Sequence, residues 1–415
     1  MVAQRPVEPW HTDQWFTSPW NFLPEATAGF ALPAQVKIHD ITLRDGEQQA
    51  GVVLTTDEKV RIAEALADAG VHRIEAGLPA VSPADEDAVR RIAGLGLPSE
   101  IYGFCRCMKS DVRVAADCGV KAVVMEVPAS HHLIEKAYGW TREKALDTTI
   151  EATAYAHELG LKVTFFPIDA TRSPMVELMD DLSRIAREGH ADAIVLVDTN
   201  GVIAPHAVSF FARHTRERLG LPLETHFHQD FGMGVANTVI AVTQGAEAIH
   251  TTVAGIGERA GNTPMEETVL ALLTMYGIDL GIKTEKFYEL SRLVLGLTGI
   301  RQTPNRPVIG DTLFHVESGI PVAWYRRTGE EDMLEVFPFR PGLVGQPDPR
   351  ILLGKGSGMD SIAFGLERVG LPWSDTEELR VILADVKAAS LAKKRMLSDD
   401  EFAAIARRTL PGTKG

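Results

Sequence analysis

The stretch 36-VKIHDITL-43 decides the fold, because it opens a rhythm that about 240 residues keep. It is short, apolar and β-branched, which is how a buried strand reads. Seven comparable runs follow: 71-VHRIEAG-77, 101-IYGFCR-106, 122-AVVMEVP-128, 162-KVTFFPI-168, 193-AIVLVDT-199, 223-LETHFHQ-229 and 248-AIHTTVA-254. Between them the apolar residues change to helical spacing, as Val60, Ile62, Ala63, Leu66 and Ala67 do within residues 57–69. Residues 85–93, 111–118, 141–159, 175–188, 205–219 and 235–244 follow the same plan, and 265–276 follows the last strand. Strands alternating with helices imply a parallel sheet. Eight such units imply an α/β protein with a (β/α)8 TIM barrel. A doubly wound sheet is the other arrangement of such units, but the first strand ends in no G-x-G-x-x-G.

The rhythm covers residues 35–280. Residues 1–34 form an N-terminal aromatic extension, in which 9-PWHTDQWFTSPWNFLPE-25 holds three tryptophans. Aromatic rings bury much area, so this segment is expected to dock on the barrel or on a partner chain. Residues 281–415 form a C-terminal helical subdomain: a helix over 285–298, proline- and glycine-rich loops, then helical patterns to about Arg407.

Composition narrows the function. The net charge is -14, which speaks against nucleic acid or an anionic membrane as partner. No apolar run reaches the length of a membrane span, and the N-terminus lacks the basic-then-apolar pattern of a signal peptide. Cys105, Cys107 and Cys118 are odd in number and clustered, so packing rather than disulfides is expected. A cytoplasmic protein fits these features.

In such barrels the active site lies at the C-terminal ends of the strands. In 224-ETHFHQD-230 alternation puts His226 and His228 on one face, with Asp230 beyond. Two imidazoles beside a carboxylate suit a divalent metal. The first strand runs into 44-RDGEQQ-49, where Asp45 reads as a further ligand rather than a helix cap, because the next helix starts near residue 57. Arg44 beside it suits a substrate carboxylate or a developing oxyanion. The second strand holds Glu75. In 255-GIGERAGN-262, Asn262 offers a neutral oxygen to the metal, and Glu258 pairs with Arg259 or holds Arg44. Such a site leaves coordination positions that the carboxylate and keto oxygen of a 2-oxo acid fill, and the metal then acts as a Lewis acid on the carbonyl.

At these residues the chain resembles the 2-isopropylmalate, homocitrate and citramalate synthases, which share a barrel with hydroxymethylglutaryl-CoA lyase. The likeness is carried by 39-HDITLRDGEQQAGV-52, 74-IEAGLPAVSP-83, 226-HFHQDFGMGVAN-237 and 251-TTVAGIGERAGNTPMEE-267. It implies Asp45, His226, His228 and Asn262 as metal ligands, and zinc, manganese or magnesium as the metal. It implies Arg44 as the catalytic arginine, Glu258 as the acid paired with it and Glu75 as a carboxylate nearby. Thr199, Thr252 and Gln48 are implied at the substrate. The implied reaction condenses acetyl-CoA with a 2-oxo acid and hydrolyses the thioester, in a homodimer.

The chain departs from the pattern at Gln229, at Ile168 where the synthases place a glutamate, at Pro321 after 317-ESGI-320, and at Gly356 within 354-GKGSG-358. The tyrosine expected ahead of the Pro-Gly stretch appears as Val336 or Phe337. The groups replaced serve proton transfer and hydrolysis. His315, His131, Tyr325 and Asp169 are the candidates to take their place. A C–C lyase or aldolase on the same scaffold is therefore the second enzyme reading, and a non-catalytic metal-binding barrel the third. The regulatory domain of the synthases is also missing, which implies no feedback control by an amino acid.

Overall fold

The computed structural model describes residues 8–329 and 331–410. The chain divides into two units, residues 20–301 and residues 302–410 together with 8–19. In the first unit a short helix α1 (Pro24–Thr27) precedes eight strands: β1 (Lys37–Asp40), β2 (Arg73–Glu75), β3 (Glu100–Arg106), β4 (Ala122–Pro128), β5 (Lys162–Ile168), β6 (Ala193–Asp198), β7 (Leu223–Phe227) and β8 (Ala246–Thr251). All pair in parallel and the sheet closes: Asp40 of β1 lies opposite Ile74 on one side and Thr251 on the other. The (β/α)8 barrel expected from the rhythm is the observed fold.

Helices α2 (Thr56–Asp68), α3 (Pro83–Gly94), α4 (Lys109–Asp117), α5 (Arg142–Glu158), α6 (Met175–Glu188), α7 (Pro205–Leu219), α8 (Gly234–Thr243) and α9 (Met265–Tyr276) follow the strands in turn. Their ends obey local chemistry. The Thr55 hydroxyl accepts the Glu58 N–H and the Glu58 carboxylate accepts the Thr55 N–H, a reciprocal cap that fixes the start of α2.

Each strand presents alternate residues to the two sides. Tyr102, Phe104, Ala122, Val124, Phe166, Val195 and Val197 form one buried cluster inside the barrel. Met125, on the other side of β4, meets the Thr153 hydroxyl of α5. The strands stand on apolar contacts at both faces, so polar residues at inward positions are exceptions that mark the chemistry.

α10 (Phe287–Thr298) belongs to the same unit, and Lys283 just before it donates its backbone N–H to Ala69 O. In the second unit β9 (His315–Val316) pairs with β10 (Arg350–Ile351), and α11 (Gly319–Thr328) follows β9. Helices α12 (Met359–Arg368), α13 (Thr376–Lys393) and α14 (Asp399–Thr409) bury Ile362, Leu366, Ile382, Val386 and Phe402 in a core of their own.

The aromatic extension divides between the units. Phe30 stacks on Tyr276 and Ala31 donates to Thr243 O, as docking on the barrel requires. Earlier residues dock elsewhere than expected. The Phe16 N–H donates to Pro338 O at 2.9 Å, and Gln14 O accepts from the Arg340 N–H at 2.9 Å. They pair edge to edge with a segment of the second unit. The three cysteines are free and buried. Among the described residues no helix is long and apolar enough to cross a membrane.

Candidate metal centre

β7 ends at Phe227, which puts His226 inside the barrel and His228 one step beyond the strand. Asp198 O accepts the His228 N–H at 3.3 Å, and His228 forms an isolated antiparallel bridge with Asn262. From β1 the chain turns at once: the Asp45 and Gly46 N–H groups both donate to Ile41 O, and Gly46–Gln48 coils into a short 3-10 turn. This turn points Asp45 at the histidines. His226 Nε2 and His228 Nε2 lie 3.2 Å apart, and Asp45 Oδ2 is 3.4 Å from the first and 3.6 Å from the second.

All three side chains are buried. Two neutral imidazoles facing each other beside a carboxylate waste lone pairs unless a cation shares them. The edge lengths match the spacing of donors held about 2.0–2.2 Å from one ion. Asn262 Nδ2 donates to Ile256 O at 3.1 Å, while its Oδ1 is buried without a partner. The residues therefore fit a divalent cation.

The loop carrying Asn262 depends on its glycines. A Cβ at Gly257 (φ +146°) would collide with the Asn262 amide, and one at Gly261 (φ +88°) with Gly255 O. Only glycine tolerates both the backbone and the approach.

Electrostatics prepare the same site. Burial works against the Asp45 carboxylate, but Arg44, then His226 and His228, outweigh it and hold its pKa well below the usual range. Burial pushes the His226 pKa down to about 3, against the pull of Asp45, and burial also lowers that of His228. Both rings are neutral near neutrality, as ligation requires.

Arg44 is buried with the centre. Its Nε donates to Glu75 Oε1, its Nη1 lies 3.5 Å from Asp45 Oδ1, and its Nη2 is buried without a partner. Its guanidinium stands 4.0 Å over the Phe104 ring and 5.6 Å from that of Phe166. Burial opposes the Glu75 charge, yet Arg44 and then His39 bring its pKa down to about 2. The fork of Arg44 is thus fixed, with one free donor.

The HMGL-like family matches residues 35–294. The chain belongs to this family. Within it, the chain is 40% identical over 389 residues to homocitrate synthase AksA of Methanopyrus kandleri, covering 94% of this chain and 96% of that one. It is 41% identical over 357 residues to a probable 2-isopropylmalate synthase of the same organism, covering 86% of this chain and 70% of that one. Among solved structures, a Bacillus subtilis HMG-CoA lyase superposes with a TM-score of 0.59 at 20% identity, over 65% of this chain and 95% of that one. That last likeness is one of fold.

In this HMGL-like chain the remaining expected residues fall unevenly. Glu258 is half exposed and lies 3.8 Å from Arg259, so the pairing with Arg44 is made by Glu75 and Asp45 instead. Asp230 is taken up by Arg259 in a two-pronged ion pair at 2.9 and 3.0 Å. Thr199 accepts the Asp169 N–H on its hydroxyl at 2.8 Å, and the buried Thr252 hydroxyl donates to Ile256 O at 2.8 Å. Gln48 is exposed on the wall of a recess of about 260 Å³ that Arg44, Lys59 and Leu78 also line. Of the candidates for proton transfer, Asp169 is committed to His132 at 2.9 Å and Arg172 at 2.6 Å, and His131 to Glu177 at 2.7 Å.

Reading the sequence missed a second buried group of the HMGL-like barrel, His39, Glu224 and His250. His250 Nε2 lies 2.9 Å from Glu224 Oε2, and Arg73 donates to Glu224 Oε1 at 2.7 Å. The His39 and His250 rings stack at 4.3 Å with 24° between their planes. Lone pairs lie in the ring plane, so two nearly parallel rings do not converge on one ion. This group is a buried polar core below the centre, tied together by the bonds of His250 and Arg73 to Glu224. Its signal was a polar residue at an inward position of three separate strands.

Proposed function

We propose that this protein carries out a metal-dependent Claisen-type condensation. It joins an acyl-CoA, first of all acetyl-CoA, to a 2-oxo acid, and acts as an acyltransferase that converts the acyl group into alkyl on transfer. The observation that carries this reading is the triangle of Asp45, His226 and His228 donor atoms with the unpartnered Nη2 of Arg44 close by. The end-to-end likeness to a homocitrate synthase supports condensation over cleavage, because the likeness to a lyase rests on fold alone.

Asp45, His226 and His228 would hold the divalent ion, with Asn262 Oδ1 as a fourth donor. Two imidazoles with one carboxylate and one amide favour zinc or manganese over magnesium. Bound there, the ion supplies Lewis acidity to the ketone of the 2-oxo acid. Arg44 donates its free N–H to the oxygen on which charge develops, and Glu75 keeps the guanidinium from rotating away. Gln48, Thr199 and Thr252 would line the substrate, and Glu258 would act from the exposed edge of its loop. The catalytic domain would be residues 35–280, with 1–34 and 281–415 as accessory parts. A cytoplasmic homodimer without nucleic-acid or membrane partners accords with the acidic composition.

The test is a panel of 2-oxo acids with acetyl-CoA, read as free thiol. Release of coenzyme A with one acid, lost in Arg44→Lys and His226→Ala, is the expected result. Formation of a 2-oxo acid from a hydroxy acid without any coenzyme A would establish the lyase instead. Bound metal with no turnover on either panel would leave a binding barrel.

A further inference from the structure

The mouth of the barrel holds one more carboxylate, Glu126 on β4. It faces inward: Val124, two residues earlier, belongs to the interior cluster, while Met125 between them meets α5. Across the sheet Glu126 is in register with Arg106 on β3 and Phe166 on β5. Phe166 meets the His226 ring edge-on at 4.8 Å and lies below the Arg44 guanidinium. Glu126 therefore neighbours the ring that touches both a metal-ligand candidate and the catalytic arginine.

The carboxylates around it are engaged. Glu75 is held by Arg44 and His39, Asp169 by His132 and Arg172, Asp230 by Arg259, and Asp198 by the Thr171 hydroxyl and the Ile203 N–H. Among the described residues, no side-chain hydrogen bond or ion pair holds Glu126. Arg106, its neighbour on β3, gives its guanidinium to Asp111 at 2.7 and 3.1 Å. The Ile168 side chain at the top of β5 offers nothing that accepts a proton. An unpaired, half-buried carboxylate costs stability, and function is the reason a barrel strand carries one.

Resting on the condensation reading, we propose that Glu126 is the general base that removes the α-proton of the acyl thioester. The α C–H bond breaks, its proton passes to a Glu126 oxygen, and the electron pair stays on the α-carbon, shared with the thioester oxygen. That carbon then bonds to the keto carbon of the 2-oxo acid. The keto π pair moves onto oxygen, which takes up one proton from water, and Glu126 returns its own to water at the mouth. A second water then adds to the acyl carbon, the C–S bond breaks, and coenzyme A leaves as the free thiol.

The surroundings tune such a base. Burial raises the Glu126 pKa, Arg44 and Arg106 oppose it, Glu75 and Asp111 add to it, and the result is about 7. Cys107 just past β3 and Tyr138 beyond β4 also face it. A base balanced near the working pH is the efficient one.

The experiment compares wild type, E126Q, E126D and His132→Asn, each loaded with metal, with acetyl-CoA and the accepted 2-oxo acid. It reads coenzyme A release against pH, deuterium exchange into the acetyl methyl group, bound metal and Tm. E126Q should lose about 10²- to 10⁴-fold in kcat and in exchange. It should keep its metal and keep KM for the 2-oxo acid within about threefold. Its Tm should be equal or higher, because no charge has to be buried. E126D should recover part of the rate with a displaced acid limb. E126Q retaining more than about a tenth of the wild-type kcat overturns the assignment. Loss of metal in E126Q, or collapse of exchange in His132→Asn alone, does so too. A wild-type protein that condenses nothing overturns the condensation reading and the base with it, whereas condensation that persists in E126Q overturns the base alone.

Discussion

Arg44 and Glu75 show what one ion pair does when it is fully buried. The Glu75 carboxylate is charged because Arg44 and His39 overcome the cost of burying it, and its pKa in the fold is about 2. A free glutamate titrates near 4.3. The folded value is the lower one, so the stabilisation is complete above the unfolded pKa and fades as the pH falls through the folded one. Urea unfolding of the wild type should show this loss between about pH 4.5 and 2. Glu75→Gln should lack that component and be less stable at pH 7 by about 3–5 kcal/mol, since Arg44 is left buried without its counter-charge. Arg44→Lys keeps a charge and loses the fork, so kcat should fall by about 10²- to 10³-fold with metal content unchanged in elemental analysis. His226→Ala should lose both metal and turnover, and full metal content in that variant would refute the ligand role. His226, His228, Asp45 and Arg44 were legible in the sequence because their side chains carry rare chemistry at strand ends. Partners were legible only in part: the resemblance put Glu75 near Arg44 but gave Glu258 as the acid paired with it, whereas Glu75 and Asp45 reach Arg44 and Glu258 lies beside Arg259.

At the scale of elements the loop after β8 is the most constrained. Gly261 has φ +88° and a Cβ there would run into Gly255 O, whereas Gly51 has φ +91° and open space around it. Gly261→Ala should cost about 2 kcal/mol or more, and Gly51→Ala less, since it bears the backbone strain alone. Equilibrium unfolding separates the two. Gly261→Ala should also bind metal more weakly, because Asn262 follows it. The eight strands and their helices were legible because period and residue type agree in each. The end of β7 was not: the apolar alternation runs on to Gln229, but pairing stops at Phe227, and His228 is instead held by the bridge to Asn262. Such a bridge is set by tertiary approach, which alternation does not encode. The inward polar residues His39, Glu126, Glu224 and His250 were passed over because a strand that is apolar on average hides a single charged position.

At the scale of the whole chain there are two units, each with its own buried core. Two cores imply two cooperative transitions on heating. A cation that binds only the folded barrel raises one of them, by about 4 kcal/mol at a thousandfold excess over Kd. Calorimetry with and without a chelator should therefore move one transition and leave the other in place. A common shift of both would show that the units unfold together. The division itself was only half visible from sequence, since the tryptophan-rich start carries no mark of its mate. That mate is distant: Phe16 bonds to Pro338, and Gln14 to Arg340. During synthesis on the ribosome, the barrel strands all emerge while the first segment still lacks the strand it will lie against. The barrel is thus made before the segment that Gln14 and Phe16 pair with, and a change at those two residues would be felt around Pro338 and Arg340 rather than in the barrel.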